Sequence, residues 1–419
     1  MQSSIKDNKN NLSMLLIFLI IFLDMVGVGI IIPVLAPLLL SHTGILPANY
    51  SDSLRTIILG FLIATYPLAQ FFGAPLLGGW SDRVGRKKVL LVSLGGTFIG
   101  YIIFAIGIYT QNILLLFISR IIDGFTGGNI SIVLSAIADI SDEKSKARNF
   151  GMVGMAFGLG FILGPFLGGK LSDPHLLPWF NFATPFWFAA LLALVNILFV
   201  NLKFKETLST KIQSEISIFT GFRNLKKAFL MENLRIMFFV VFLLAFGFSF
   251  FAQFFQVFLI DKFSYTQSEI GNLFGYIGLW IAFSQGIVTR FFSGRFKSHQ
   301  ILPFSALFLG LTMPFLLIPS KAIYLYFILP FIAVFNGLTY PNSTAIISNL
   351  SSKESQGEIL GINQSIQSLA QAIPPIIAGF IVTLNRSLPI IVSGIMILFA
   401  WGIFMLFFKA EKKEKFVDA

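Results

Sequence analysis

The chain contains no cysteine and few charged residues. The absence of cysteine excludes disulfide bonds, thiol nucleophiles and cysteine-ligated metals. The three histidines all fall in predicted loops, at His42, His175 and His299, so we expect no metal site. Only 12% of the residues are charged, which is about half the share found in soluble domains. Together with 56% hydrophobic residues, this shortage predicts that lipid surrounds most of the chain.

Acidic residues are scarcer still, and the net charge is +11. Such a balance could indicate nucleic-acid binding, but the basic residues lie in short loops between apolar segments, and we expect no nucleic-acid partner. We also expect no cleaved signal peptide, because the first apolar stretch, 14–40, is too long for one and lacks a small-residue cleavage site.

Long apolar runs fill most of the remaining sequence. A helix needs roughly 20 apolar residues to cross a bilayer, and twelve segments meet that requirement. They lie at approximately 14–40, 56–79, 88–109, 112–138, 147–170, 182–202, 235–259, 268–292, 299–319, 322–348, 356–384 and 387–408. The sequence therefore predicts an all-α membrane protein with twelve transmembrane helices, numbered here as spans one to twelve.

The lysines and arginines predict the orientation of these spans. With the N-terminus inside, 24 of the 30 basic residues fall on the cytoplasmic side and five outside, so both termini are expected in the cytoplasm. The longest polar interval, 203–234, divides the spans six and six. We therefore predict a bundle over 1–202, a cytoplasmic linker over 203–234 and a second bundle over 235–419. Within the linker, 216–231 fits either a helix on the membrane surface or a plain connection, and both remain open.

The two halves repeat weakly. The same spacing of 14 and 4 residues separates two triplets, which are Gly151, Pro165 and Gly169 in span five and Gly361, Pro375 and Gly379 in span eleven. Internal repeats with a binding site at their interface are typical of secondary transporters. We therefore expect two pseudo-symmetric six-helix bundles.

Three charged residues of the first half lie well inside the predicted spans, away from the span ends. Asp24 is about ten residues into span one, hence about 15 Å deep at 1.5 Å per residue. Arg120 and Asp123 share one face of span four and could be a purely structural pair. Asp24 has no charged partner on its own helix, and desolvation favours the neutral form of a carboxyl group. Asp24 is therefore the first candidate for carrying a proton.

Uncharged polar residues mark a candidate substrate cavity in the second half. They are Gln253 and Gln256 in span seven, Asn336 and Tyr340 in span ten, and Gln364, Gln367 and Gln371 in span eleven. Amides among aromatic residues suit amphipathic ligands. Hydrogen bonds between helices would explain about half of these residues as well.

The segment 78–87, Gly-Gly-Trp-Ser-Asp-Arg-Val-Gly-Arg-Lys, joins spans two and three. It resembles the signature loop of the major facilitator superfamily. A basic turn that only fixes topology would not explain Asp82 or the glycines at both ends. The resemblance implies a cytoplasmic gate in which Asp82 meets the start of span eleven, where a helix N-terminus favours an anion. The expected gate residues are Gly78, Asp82, Arg83, Gly85, Arg86 and Gly357.

Spans four and five carry two further motifs. Arg120-Ile-Ile-Asp123-Gly124 resembles the superfamily's R-x-x-q-G motif, with aspartate in place of glutamine. The string 160–169 resembles the antiporter motif of proton-driven exporters, through Gly160, Gly164, Pro165, Gly168 and Gly169. With 23–33 of span one, these motifs resemble the tetracycline/proton antiporter branch of the twelve-span drug:proton antiporters. Two departures, one extra residue in Pro33–Pro37 and the lack of an aspartate in span nine, leave the substrate open.

The resemblance implies a transporter rather than an enzyme. Its expected activity is proton-coupled antiport that exports an amphipathic small molecule or drug by alternating access, with Asp24, Arg120 and Asp123 coupling the proton. It further implies a monomer in the bacterial inner membrane that needs the proton gradient and no cofactor. Two alternatives remain: a proton-coupled transporter of an endogenous metabolite such as a siderophore, in either direction, and a non-transporting membrane sensor.

Overall fold

A computed structural model describes residues 2–41, 44–140, 146–208, 217–351 and 356–408. Within its helices, the side chains of 2–13, 138, 146–154 and 356–358 lie outside the description. Every regular element in the described part is a helix. The predicted all-α fold is therefore confirmed.

Sixteen α-helices follow one another along the described chain. In the first half they are α1 (Gln2–Ile30), α2 (Ile32–Leu40), α3 (Asp52–Val84), α4 (Arg86–Tyr109), α5 (Ile113–Thr126), α6 (Asn129–Ile140), α7 (Lys146–Leu171) and α8 (Thr184–Lys203). They continue as α9 (Thr220–Leu230), α10 (Arg235–Phe263), α11 (Gln267–Phe283), α12 (Thr289–Ser293), α13 (Ser298–Thr312), α14 (Leu325–Asn349), α15 (Gln356–Ile381) and α16 (Leu388–Phe407). A π-helical turn at Ser284–Val288 joins α11 to α12.

Nine helices of the described part are long and apolar enough to cross a membrane, and Met155–Leu171 is a shorter apolar helix. The remaining predicted spans coincide with α11–α12 and α15. The chain is therefore a multi-pass membrane protein, while the count of twelve spans stays a prediction.

Two predicted spans are interrupted. Span one divides into α1 and α2 at Ile31, two residues before Pro33, which has no N–H to continue the hydrogen-bond ladder. Span four divides into α5 and α6 at Gly127 and Gly128. The Gln70 side chain donates to the carbonyl oxygen of Gly127 at 2.9 Å and so satisfies a group that the break exposes. Both breaks lie a few residues beyond a charged residue of the predicted site.

The chain folds into two compact units whose limits differ from the predicted bundles. Unit 1 comprises Met1–Ala48, Ala69–Thr220 and Thr266–Gly275, and unit 2 comprises Asn49–Leu68, Gly221–Tyr265 and Tyr276–Ala419. The first part of α3 belongs to unit 2 because it packs on α15, where a Cβ added at Gly60 would lie 2.4 Å from the Pro375 carbonyl oxygen. The bundle limits at 202 and 235 follow the linker in the sequence and stay a prediction.

The linker contains one helix in its described part. Of the two interpretations left open for 216–231, the structure supports a helix, α9, rather than a plain connection. Residues 209–216 lie outside the described residues. The helix is amphipathic, with Gly221 and Ala228 buried and its phenylalanines and basic side chains exposed.

Candidate functional site

The signature segment 78–87 is almost entirely helical. α3 continues through Val84, α4 begins at Arg86, and Gly85 alone interrupts them. Gly85 has φ +115°, a backbone conformation that favours glycine. The predicted loop is therefore a single hinge residue, and Asp82 lies in the last turn of α3.

Arg86 is the centre of an ion-pair network at this hinge. Its side chain is buried and pairs with Asp82 one turn earlier. Its Nε donates to Asp139 Oδ2 at 3.2 Å, and its Nη1 donates to Ser81 Oγ at 2.7 Å. The network therefore joins the end of α3, the start of α4 and the end of α6 within unit 1.

Glu206, which belongs to none of the sequence motifs, caps the start of α4. Its Oε1 accepts from the Arg86 amide at 2.9 Å, and its Oε2 accepts from the Lys87 amide at 3.1 Å. A carboxylate at a helix N-terminus satisfies free N–H groups and stabilises the helix dipole. A Cβ at residue 85 would lie 2.5 Å from Glu206 Oε2, so glycine is required there for the cap to form. The neighbouring Thr207 hydroxyl donates to Asp139 at 3.2 Å.

Changing Glu206 to Gln should destabilise the hinge. One carboxylate oxygen becomes an NH₂ group that cannot accept from a backbone amide, and we expect a loss of about 1 kcal/mol, as for other N-cap changes. Thermal unfolding in detergent would measure the loss. Glu232→Gln, at an exposed glutamate of the same predicted linker, serves as the control and should have no effect. Equal unfolding temperatures for the two variants would contradict the capping role.

Asp24 lies partly buried on α1, beside the start of α6. The Asn129 side chain lies next to its carboxyl group, and the Asp123 carboxyl group is close enough for charge repulsion. Among the described side chains, no lysine or arginine forms an ion pair with Asp24. Three helices of unit 1, α1, α5 and α6, therefore bring two carboxyl groups together inside the membrane-spanning part.

Arg120 and Asp123 form a buried ion pair within α5. The Arg120 Nη1 donates to Asp123 Oδ2 at 3.0 Å, as their three-residue spacing indicates. The Thr97 hydroxyl of α4 lies beside the same carboxyl group. Asp123 is thus held by neighbours that compensate its charge, whereas Asp24 has an amide and a second acid beside it.

The glycines of the antiporter motif press α7 against α1. A Cβ added at Gly164 would lie 2.7 Å from both the Gly29 Cα and the Val26 carbonyl oxygen. A Cβ at Gly160 would lie 2.3 Å from Met25 Cβ, and one at Gly168 only 2.1 Å from the Ile30 carbonyl oxygen. The motif therefore packs along the segment of α1 that directly follows Asp24. Small residues allow this approach of two backbones.

Gly169 faces a different helix. A Cβ there would lie 2.6 Å from the Gln267 carbonyl oxygen and 3.0 Å from the Gly271 Cα, at the start of α11. Hydrogen bonds from Lys170 to Ser268 and from Gln267 to the Ser172 carbonyl, at 3.0 and 3.2 Å, fasten the same contact. These contacts explain why 266–275 belongs to unit 1.

The candidate cavity residues of unit 2 differ in their surroundings. Gln364 and Gln367 are partly exposed and Gln371 is exposed, so they form one accessible stripe on α15. The Tyr340 hydroxyl donates to the Leu244 carbonyl at 3.4 Å, which joins α14 to α10, and its ring meets Phe248 edge-on.

Two other amides, Gln256 and Asn336, are buried, whereas Gln253 is partly exposed. Gln256 donates to the Gln253 carbonyl at 3.2 Å, a contact between helix neighbours. Asn336 is buried, and within the described part its Oδ1 accepts no hydrogen bond. An acceptor of this kind is suited to a ligand hydroxyl or amide.

The remaining gate residues are divided between the units. Gly78, Arg83 and Gly85 lie in unit 1 with Asp82 and Arg86, while Gly357 lies in α15 of unit 2, and its surroundings fall outside the described side chains. The predicted contact of Asp82 with the start of α15 therefore stays a prediction. Across the described residues, no group of three or more His, Asp or Glu side chains could hold a metal ion.

Known proteins resemble the chain along nearly its whole length. The family model described as Major Facilitator Superfamily matches residues 17–373 and 304–418. The tetracycline resistance protein, class E, of Escherichia coli is 30% identical over 385 residues, which cover 90% of this chain and 89% of that protein. Multidrug resistance protein 2 of Bacillus subtilis (strain 168) is 27% identical, with 95% and 94% covered.

A solved structure has the same fold. The crystal structure of the human organic anion transporter MFSD10 (TETRAN) superposes with a TM-score of 0.71 at 23% identity and covers 94% of this chain and 99% of that one. The predicted resemblance to the tetracycline antiporter branch is confirmed by the bacterial relatives. The chain belongs to the Major Facilitator Superfamily and is a membrane transporter, not an enzyme.

Proposed function

We propose that the protein exports an amphipathic small molecule from a bacterial cytoplasm in exchange for protons. The observation that carries this proposal is the position of Asp24, a partly buried carboxyl group beside Asn129 and the acid Asp123, without an ion-pair partner among the described side chains. The charge of such a carboxyl group is not fixed by an ion pair with a cation, so the group can exchange a proton during transport. The tetracycline and multidrug resistance proteins among the relatives support a drug-like substrate.

Protonation of Asp24 would remove the repulsion between two carboxyl groups. Gly160 and Gly164 place α7 in direct contact with α1. If α1 moved when Asp24 became neutral, α7 would therefore move with it, because close-packed helices transmit displacements. Substrate and proton would then compete for one negatively charged site, and the two bundles would alternate access by rocking. Arg120 and Asp123 would keep the site electrostatically balanced in both states.

The hinge at Gly85 would form the cytoplasmic gate. Asp82→Asn should leave folding intact, because Arg86 keeps Asp139 as an ion-pair partner, but should sharply reduce turnover. Abundance and transport would be measured side by side in the same vesicles. Full transport by the variant would remove Asp82 from the gate.

The accessible stripe Gln364, Gln367 and Gln371, with Tyr340 and Asn336, would bind the substrate by hydrogen bonds among aromatic rings. Such a cavity suits amphipathic molecules and does not select a single one. An endogenous metabolite such as a siderophore would fit the same residues, and this is the second candidate function.

A substrate panel on inverted membrane vesicles separates the two candidates. Export by antiport should alkalinise the vesicle lumen in step with substrate accumulation, because protons leave the lumen as substrate enters it. A protonophore should abolish the accumulation. If the protein is a drug exporter, drug-like compounds should cause proton release from the vesicle lumen. If it transports a siderophore-like metabolite, only iron-chelating compounds should cause this release. Accumulation that is indifferent to the protonophore would contradict proton coupling.

A further inference from the structure

The helix α9 lies outside the predicted spans and presents a docked face to the rest of unit 2. Gly221 and Ala228 are buried on this face. Between them, the Asn224 side chain donates to Ser365 Oγ of α15 at 3.0 Å. The hydrogen bond fixes the rotation of α9 about its axis, so its other faces have defined directions.

The first of these faces is aromatic. Phe222 and Phe229 are seven residues apart, hence on the same side of the helix, and are 50% and 70% exposed. Phe219 and Leu230 at the helix ends are 63% and 70% exposed. With 11 residues, α9 is about 16 Å long, too short to cross a hydrocarbon core of about 30 Å. A short helix with this apolar flank is suited to lie in the plane of the membrane interface.

The second face is basic. Arg223, Lys226 and Lys227 are all exposed and lie about 100 to 160° around the helix from the docked face. Lys226 lies beside the phenylalanines, about 50° around the helix from them, whereas Arg223 is about 110° and Lys227 about 150° from them. No acidic residue occurs between 217 and 231. The surface defined by Phe222, Phe229 and these three basic residues therefore combines an apolar flank with a positive one.

We propose that this surface of α9 docks on anionic phospholipids of the cytoplasmic leaflet. The phenylalanines would enter the boundary between headgroups and acyl chains, and the basic residues would meet the phosphates. Each basic residue near an anionic membrane strengthens binding about fivefold. The proposal rests on the predicted cytoplasmic position of the linker and is independent of substrate and direction of transport.

The absence of cysteine makes a direct test simple. Leu230→Cys keeps both phenylalanines and provides the single thiol for an environment-sensitive fluorophore. The labelled protein is placed in nanodiscs of phosphatidylcholine, with and without phosphatidylglycerol, that contain a lipid-borne quencher. We expect quenching to increase with the anionic fraction, and to fall again in 1 M salt, where the screening length is about 3 Å.

Two triple variants distinguish a specific effect of the basic residues of α9 from a general effect of the protein's positive charge. Arg223→Gln, Lys226→Gln and Lys227→Gln together should remove the increase that phosphatidylglycerol causes. The control variant loses the same amount of charge from another predicted cytoplasmic segment, through Arg290→Gln, Arg295→Gln and Lys297→Gln. In this control the increase in quenching caused by phosphatidylglycerol should be unchanged. Quenching that is the same in both lipids, or that survives the α9 substitutions, would overturn the proposal. Because the readout does not involve transport, its outcome is distinct from that of the export assay.

Discussion

Replacing Asp24 with Asn should abolish proton release on substrate addition while substrate binding persists. The amide keeps hydrogen-bonding capacity beside Asn129 but has no proton to exchange. Accumulation against a gradient should fall to the level of vesicles without transporter. The variant should fold as well as the parent, because Asp24 forms no ion pair among the described side chains. Proton release would be measured in weakly buffered detergent solution across a range of pH.

Asp123→Asn is the matched control and should behave differently. It removes the carboxylate that accepts from Arg120 at 3.0 Å, so a buried guanidinium loses a charged partner. Losing one member of a buried pair typically costs about 3–5 kcal/mol. We expect reduced stability, but proton release per folded molecule should remain. If Asp24→Asn released protons like the parent, Asp123 would become the first candidate for the carrier.

Gly164→Leu should eliminate transport through packing rather than charge. The first added carbon would lie 2.7 Å from the backbone of α1 at both Gly29 and Val26, and a backbone cannot rotate away as a side chain can. Overpacking typically costs about 1–3 kcal/mol, which the helices can avoid by separating. Separation would displace the segment of α1 that carries Asp24. We therefore expect near-normal abundance, no export, and a proton leak measurable with a pH-sensitive dye.

Gly95→Leu makes the same change in the same unit without the clash. A Cβ at Gly95 meets no atom within 4 Å, so the added side chain has open space. This variant should transport like the parent. Equal activity of the two leucine variants would show that the contact between α7 and α1 does not matter for transport.

Much of the architecture follows from the sequence because apolar length and basic loops are strong signals. The helices α4, α8 and α16 agree with predicted spans three, six and twelve within two residues at either end. The breaks at Ile31 and Gly127 were not predicted. Hydropathy measures only how apolar the residues are, so it does not detect a missing backbone hydrogen bond within a continuous apolar segment. Pro33 and the pair Gly127–Gly128 were the available signals.

The site is predictable in its charges but not in its partners. The Arg120–Asp123 pair follows from a three-residue spacing, which is local. Glu206 could not be selected in this way, because it lies about 120 residues from the amides that it caps, in a segment without regular structure. The positive φ of Gly85 and the carboxylate of Glu206 belong to one feature, the cap of α4, because folding places these two residues in contact. Neither residue indicates this cap by itself.

Infrared difference spectroscopy during substrate binding tests the central claim, that Asp24 carries the exchanged proton, most directly. The parent should lose the band of a protonated carboxylic acid when substrate binds. The band should be absent from Asp24→Asn and retained in Asp123→Asn. An unchanged loss of the band in Asp24→Asn would contradict the assignment and place the exchanged proton on another residue.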